Sequence, residues 1–160
     1  CCRPAGSAER WGAVMYVQVT ITVFNKRLSA DRREVYFPTC ISGASYYESK
    51  SSGHSTDGAH AESLTYKLRI PIDAKVQNDR IHANERAFKA MTEEEARQHW
   101  TLQKGDIVLA CETSLTDPID EAAVKQLAAT EFVDVITVKE YADNTIRGSA
   151  AVKHWRIGGE

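Results

Sequence analysis

The stretch SLTYKLRIPID, Ser63 to Asp73, decides the fold. Leu64, Tyr66, Leu68, Ile70 and Ile72 alternate with Thr65, Lys67, Arg69 and Pro71. A period of two belongs to a strand with one face in a core and the other in water. Upstream, YVQVTITVF (Tyr16 to Phe24) repeats the pattern, with Val17, Val19, Ile21 and Val23 against Gln18, Thr20 and Thr22. The polar run NKRLSADRRE (Asn25 to Glu34) then interrupts, and β-formers return at Val35. The two arms read as a hairpin with a long charged tip. In the second arm Pro38 has no N–H for a ladder and Gly43 invites a bend, which predicts an edge or bulged strand.

Downstream of Asp73, residues 73–91 are polar and read as a long connection. TEEEARQHW follows, with Thr92 and Glu95 at capping-box spacing, and predicts a short helix. KGD turns the chain into a strand, IVLACE (Ile107 to Glu112). Asp117 and Pro118 suit the N-cap and first position of a helix through about Ala129, burying Ile119, Ala123 and Leu127. FVDVITVKEY (Phe132 to Tyr141) is apolar on both faces, as a strand covered on two sides would be. VKHWRIGG (Val152 to Gly159) makes a last short strand.

Six or so strands and two short helices, without regular alternation, argue against a parallel doubly wound sheet. The expected fold is mainly β: a small antiparallel β-barrel or sandwich with one or two short helices and long loops. Val19, Ile21, Leu68, Ile70, Ile107, Leu109 and Val135 are its expected core, with Trp100 and Trp155 at the rim.

A chain of 160 residues is most simply one domain. CCRPAGSAERWGAV (residues 1–14) has neither period and no continuous apolar region, so it reads as an unstructured extension. It fits a reading frame opened too far upstream, or a fragment, and the domain is expected to span residues 15–160. Lys and Arg number 20 against 22 Asp and Glu, a net charge of -2. That balance gives no electrostatic case for free nucleic acid or an anionic membrane as the main partner. No apolar run approaches the ~20 residues of a membrane helix. Cys1 and Cys2 are adjacent while Cys40 and Cys111 stand alone, which is no disulfide framework; reduced thiols are expected.

KSSGHSTDGAHAES (Lys50 to Ser63) is the chemically richest segment. His54, Asp57, His60 and Glu62 are zinc-compatible ligand types, so a metal-binding protein or an enzyme built on them is the competing reading. The residues between them are Ser, Thr, Gly and Ala, the composition of a loop joining two strands. No metal and no cofactor is the default expectation. Cys40 and Cys111 sit among strand residues and read as small hydrophobes. There is no Gly-x-Ser-x-Gly and no Gly-rich loop opening a helix after a strand. Glu93, Glu94 and Glu95 are consecutive on a helix and fan apart. His99 and His154 read as packing or hydrogen-bonding residues. The basic hairpin tip, Lys26, Arg27, Arg32 and Arg33, is diluted by Asp31 and Glu34 and reads as solubilising. No residue set points to catalysis.

The order of the pieces is informative: VTITVFNKR, REVYFPTCISGASYY, YKLRIPID, HWTLQKGDIVLACE, VITVKEYADNTIRG and KHWRIGG. The most specific are Trp100 to Val108 and the ending with Asp143, Asn144, Arg147, His154 and Trp155. From about Met15 to Glu160 the chain resembles small structural proteins of the head–tail modules of tailed phages and prophages of Gram-positive bacteria, of the minor capsid or head–tail joining type. That resemblance implies a non-enzymatic part of the virion neck, a head-closure or head–tail connector protein. A tail-terminator or other minor capsid or tail role is the near alternative. It also implies partners: further copies in a ring, portal/adaptor or tail-completion proteins, and non-specific contact with channel DNA, but no membrane. The expected location is the host cytoplasm during assembly and then the head–tail interface of the virion. On this reading Gly53, His54, Asp57, Gly58 and His60 belong to an assembly loop that orders in the ring.

Overall fold

The structure is a computed structural model that describes residues 18–54, 60–146, 148–149 and 152–160. Its strands are β1 (Gln18–Leu28), β2 (Glu34–His54), β3 (His60–Pro71), β4 (Lys75–Val76), β5 (Ile81–His82), β6 (His99–Trp100), β7 (Ile107–Leu109), β8 (Ile136–Asp143) and β9 (His154–Gly159). The helices are α1 (Glu85–Ala90), α2 (Glu93–Ala96) and α3 (Glu121–Thr130). The sheet runs β1-β7-β8-β9-β3-β2, and β2 pairs again with β1, so six antiparallel strands close on themselves. The fold is a small antiparallel β-barrel. β4 lies beside β2, and β5 and β6 form a separate parallel pair.

Closure depends on β2 changing partners midway. Val19 faces Ala44 but Ile21 faces Ile41, so β2 carries one residue more than β1 at this point. Gly43 sits in that bulge with φ +88 and nothing near the position of a Cβ; backbone conformation, not space, favours glycine. Past the bend, Ser45 is paired with both Gln18 and Arg69, and β2 continues with β3 alone. The expected bulge is therefore present, and around Pro38 β2 is also edge-like among the described residues: residues 34–40 pair with β1 alone apart from the Tyr36–Ile119 bridge, and β4 meets only Ile41 and Ser42. Pro38 fits because its carbonyl accepts from Arg80 on the side away from β1. Its missing N–H points the same way, so no β1–β2 hydrogen bond is lost.

Ile21, Val23, Ile41, Tyr66, Leu68, Ile70, Val108, Ile136, Val138 and Ile157 fill the barrel. Trp100 belongs to that core at 1% exposure rather than to the rim, while Trp155 is partly buried beside it. Val19 and Val135 are only partly buried. Ile107 and Leu109 are buried on the opposite side of β7 from Val108, with Phe24, Tyr36 and Cys111 under α3. That second layer explains why β1 is buried on both faces.

Three sequence expectations need correction here. Helix α3 is capped by Asp120, whose carboxylate accepts from Ala123 N at 2.7 Å, and not by Asp117. The later start shifts the buried face to Val124 and Ala128. Residues 73–91 are not a plain connection, since they contain α1, capped by Asn84, whose Phe88 is fully buried against Phe37. The FVDV run is not strand: β8 begins at Ile136 and Phe132 is 96% exposed. The capping box of Thr92 and Glu95 forms as expected.

The C-terminal strand closes the barrel under tight steric limits. A Cβ on Gly159 would lie 2.6 Å from the Thr137 carbonyl and 2.7 Å from Ile136, whereas one on Gly158 meets only the flexible side chain of Glu140. Gly159→Ala is thus expected to cost roughly 1–3 kcal/mol, and Gly158→Ala much less. Urea midpoints of the two variants measure the difference; equal midpoints would mean the closure is looser than the geometry requires.

Candidate assembly surface

The longest feature outside the barrel is the β2–β3 hairpin. The two strands stay paired from Ser45↔Arg69 to His54↔His60, but β3 has β9 beside it only from Tyr66 to Pro71. Among the described residues, Ser49–His54 and His60–Thr65 therefore pair only with each other. The expected loop at Lys50 to Ser63 is corrected to a two-stranded ribbon whose arms run to His54 and from His60. Gly53 faces Ala61, Ser52 faces Glu62, and the two histidines are register partners. Residues 55–59, with Asp57 and Gly58, lie outside the described residues, as do the side chains of His54, His60 and Glu62. The metal reading and the assembly-loop reading both fall there. A two-stranded ribbon is marginal alone in water, and Leu64 is its only large apolar residue.

The first hairpin is shorter at its tip than expected. Ser29 N donates to Arg33 O at 2.8 Å and Arg32 N to Ser29 O at 2.9 Å, so the turn holds only residues 29–33. Arg32 and Arg33 are exposed there. Lys26 and Arg27 are strand residues instead, opposite Tyr36 and Val35. Lys26 pairs with Glu34 at 2.9 Å. The Arg27 guanidinium donates to the carbonyls of Phe88 (2.7 Å) and Met91 and lies 5.7 Å from the Phe88 ring centre. It holds the C-terminal end of α1 to β1, a structural task.

A polar node that sequence reasoning missed ties β1 to the segment before β7. Asp106 is fully buried. Its Oδ1 accepts from Lys26 N (2.8 Å) and Gln103 Nε2 (3.3 Å), and its Oδ2 from Asn25 Nδ2 (2.8 Å) and Gln103 N (3.0 Å). Asn25 in turn exchanges hydrogen bonds with the Thr101 backbone. Burial pushes the Asp106 carboxyl up to about 7 against the pull of these donors. Spacing could not reveal this, because Lys104-Gly105-Asp106 has the composition of an ordinary turn.

Around Trp100 the rings of His82, Trp100 and Trp155 pack with centres 4.7–5.0 Å apart. Burial holds the His82 imidazole below its ordinary value, opposed by Asp143. His99 Nδ1 lies 2.8 Å from Glu95 O, and His154 contacts Val152 O and Asn144, so both histidines are hydrogen-bonded. Arg147 lies outside the described residues. Cys40 and Cys111 are thiols, and burial pushes the Cys40 thiol up, away from the nucleophilic thiolate. Among the described residues, no three His, Cys, Asp or Glu converge to hold a metal ion, and no helix is long and apolar enough to cross a membrane.

Comparison with known proteins gives a family. The chain belongs to DUF6751, a family of unknown function, which matches residues 16–160. No curated protein and no solved structure matches the chain.

Proposed function

We propose that this protein is a non-enzymatic structural component of the virion neck of a tailed phage or prophage, a head-closure or head–tail connector that works as a ring of identical copies. The observation that carries the reading is a closed barrel from which one two-stranded ribbon continues, paired to nothing else among the described residues. A closed barrel offers few sheet edges and serves as a rigid block. The ribbon has six residues per strand beyond the Glu48–Tyr66 pair, and a neighbouring copy can pair with or cover the backbone groups along its two outer edges. Ring neighbours of this kind meet through heterologous interfaces that close. Each contact is weak alone, and the ring makes the set strong.

Expected partners are further copies, portal/adaptor or tail-completion proteins, and the DNA of the channel through non-specific contact. Assembly takes place in the host cytoplasm and the finished location is the head–tail interface. Electron microscopy of an induced lysate from which this gene is deleted tests the function. Heads without tails beside free finished tails are the expected result. Normal infectious particles would contradict it.

A further inference from the structure

The net charge of -2 hides an uneven surface. Directly opposed residues of neighbouring strands project from one face of a sheet. Leu68 and Ile157, opposed across β3 and β9, lie in the core. Arg69 and Arg156, the next pair, therefore stand on the outer wall of the barrel, where both are exposed. Ile72 N donates to Lys153 O at 3.1 Å, which makes Ile70–Trp155 and Leu68–Ile157 the hydrogen-bonded pairs. Arg69–Arg156 thus falls at a non-hydrogen-bonded site, where Cα atoms approach to about 4.5 Å. Like charges placed opposite each other destabilise a sheet.

Among the described residues, neither guanidinium has an ion-pair or hydrogen-bond partner. Their neighbours on the flanking strands are Ser45 and Ala142, too short to cover them. Lys67 precedes Arg69 on the same face and is exposed. Lys139 and Glu140 share the bulge of β8 between Val138, in the core, and Tyr141, opposite Ile157, so both turn outwards. The acids of this wall, Glu140 and Glu160, lie towards the Tyr66 end of β3, and Glu140 is folded across Gly158, opposite Lys67. Asp143, opposite Trp155, belongs to the other face. Towards His154 the described wall carries the two arginines and no acid.

An exposed arginine pair held at a cost points to an anion from outside. A protein partner buries an apolar centre, and this wall offers none. Of the exposed large apolar residues, Tyr141 alone lies on β3, β8 or β9 among the described side chains, and it faces the other way. Guanidinium forks match phosphate oxygens, and a phosphodiester backbone needs no apolar centre. We propose that this wall binds the phosphate backbone of duplex DNA without reading its sequence, with Arg69 and Arg156 donating to phosphate oxygens and Lys67 and Lys139 adding to the field. The whole-chain charge gives no such case because acids elsewhere cancel it. The inference rests on the neck reading for where DNA is met, and it names the face that each copy turns to the channel.

Fluorescence anisotropy of short labelled duplexes, titrated with the intact protein over a tenfold range of salt, is the test. Two duplexes of unrelated sequence should bind alike, with affinity falling as salt rises. Arg69→Gln with Arg156→Gln should weaken binding about tenfold or more at the lowest salt and flatten the log–log salt slope by about 2. Arg32→Gln with Arg33→Gln removes the same charge from the hairpin turn and should leave binding in place. The urea midpoint of the wall variant should equal or exceed that of the wild type, because a like-charge contact is lifted. A lower midpoint would give the arginines a structural task and overturn the proposal. Absence of salt-sensitive binding also overturns it, as does equal loss in the two double variants, which would reduce the effect to net charge. Salt-sensitive self-association without DNA, removed by the wall variant alone, would give the wall to an acidic surface of a second copy instead. Each of these failures leaves the neck reading to the deletion experiment, whereas normal particles from the deletion would sink that reading and leave the DNA binding of the wall standing.

Discussion

Asp106→Asn is expected to lower the unfolding free energy by roughly 2–5 kcal/mol, the cost of leaving two buried donors without acceptors. The carboxylate meets four N–H donors, two on each oxygen, and no cation among the described residues. An asparagine keeps one oxygen and turns the other into a donor. Whichever way the amide sits, two N–H groups then face an NH2. The node joins β1 to the Thr101–Asp106 segment, with Gln103 Nε2 also donating to Lys26 O at 2.9 Å, so the loss spreads to barrel closure and is not confined to a turn. Urea unfolding of the two proteins measures it.

The same residue predicts a pH dependence. Its folded pKa of about 7 lies above the ordinary carboxyl value of 3.8. Between those values the unfolded chain releases a proton that the folded chain keeps, so this group's contribution is full below about pH 4 and lost as pH rises through about 7. His82 works in the opposite sense: its lowered pKa means stability is gained as pH rises through about 6.5. The difference between wild type and Asp106→Asn at pH 5 and at about pH 8 isolates Asp106. The wild-type advantage should shrink at the higher pH. An advantage equal at the two pH values would mean the donors overcome burial and the carboxylate is ionised throughout.

Replacing Gly53 to Ala61 by Asn-Gly should leave the fold intact and remove assembly. Ser52 and Glu62 are register partners, so a two-residue turn joins them without disturbing the pairing below. The removed residues lie beyond the last barrel pairing of β3, at Tyr66. Stability should change by no more than about 0.5 kcal/mol, as for substitutions away from any core. Infectious titre, with the shortened gene complementing a deletion, should fall to that of the deletion itself. A large drop in melting temperature would show that the ribbon belongs to the folded core. An unchanged titre would deny it an assembly role.

The parts of the fold that follow from alternation were legible in the sequence. Ile21 and Val23, Leu68 and Ile70, and the last strand lie where period two puts them, because one face of each fills the barrel. The start of α3 was not legible. Asp117 and Pro118 form a sound N-terminal signal, but Ile119 is held extended by a two-way bridge to Tyr36, with N···O distances of 2.7 and 3.0 Å. Asp117 instead pairs with Arg97 at 2.7 Å. That tertiary contact outweighs the local preference, and Asp120 caps the helix. Helix α1 has six residues and buries only Phe88, too little for a helical period to show.

The candidate sites were less legible than the core, for a physical reason. Lys26 and Arg27 look like tip residues because charge usually marks a turn. Their strand continues because Arg27 finds the carbonyls at the end of α1 and Lys26 finds Glu34. Asp106 and Arg80 are single charged residues among turn-forming neighbours, and only the tertiary structure reveals that both are buried. The ribbon was legible as a connection between two strong strands. That the strands themselves continue into it could not be read from Ser, Gly and His, which favour no period.

The most direct test of the neck reading is the location of the protein in finished particles. With an epitope tag on the C-terminal side of Glu160, gold-labelled antibody should mark the junction between head and tail and nothing else. Label along the tail tube, over the capsid faces, or absent from particles that carry the tagged gene would contradict it.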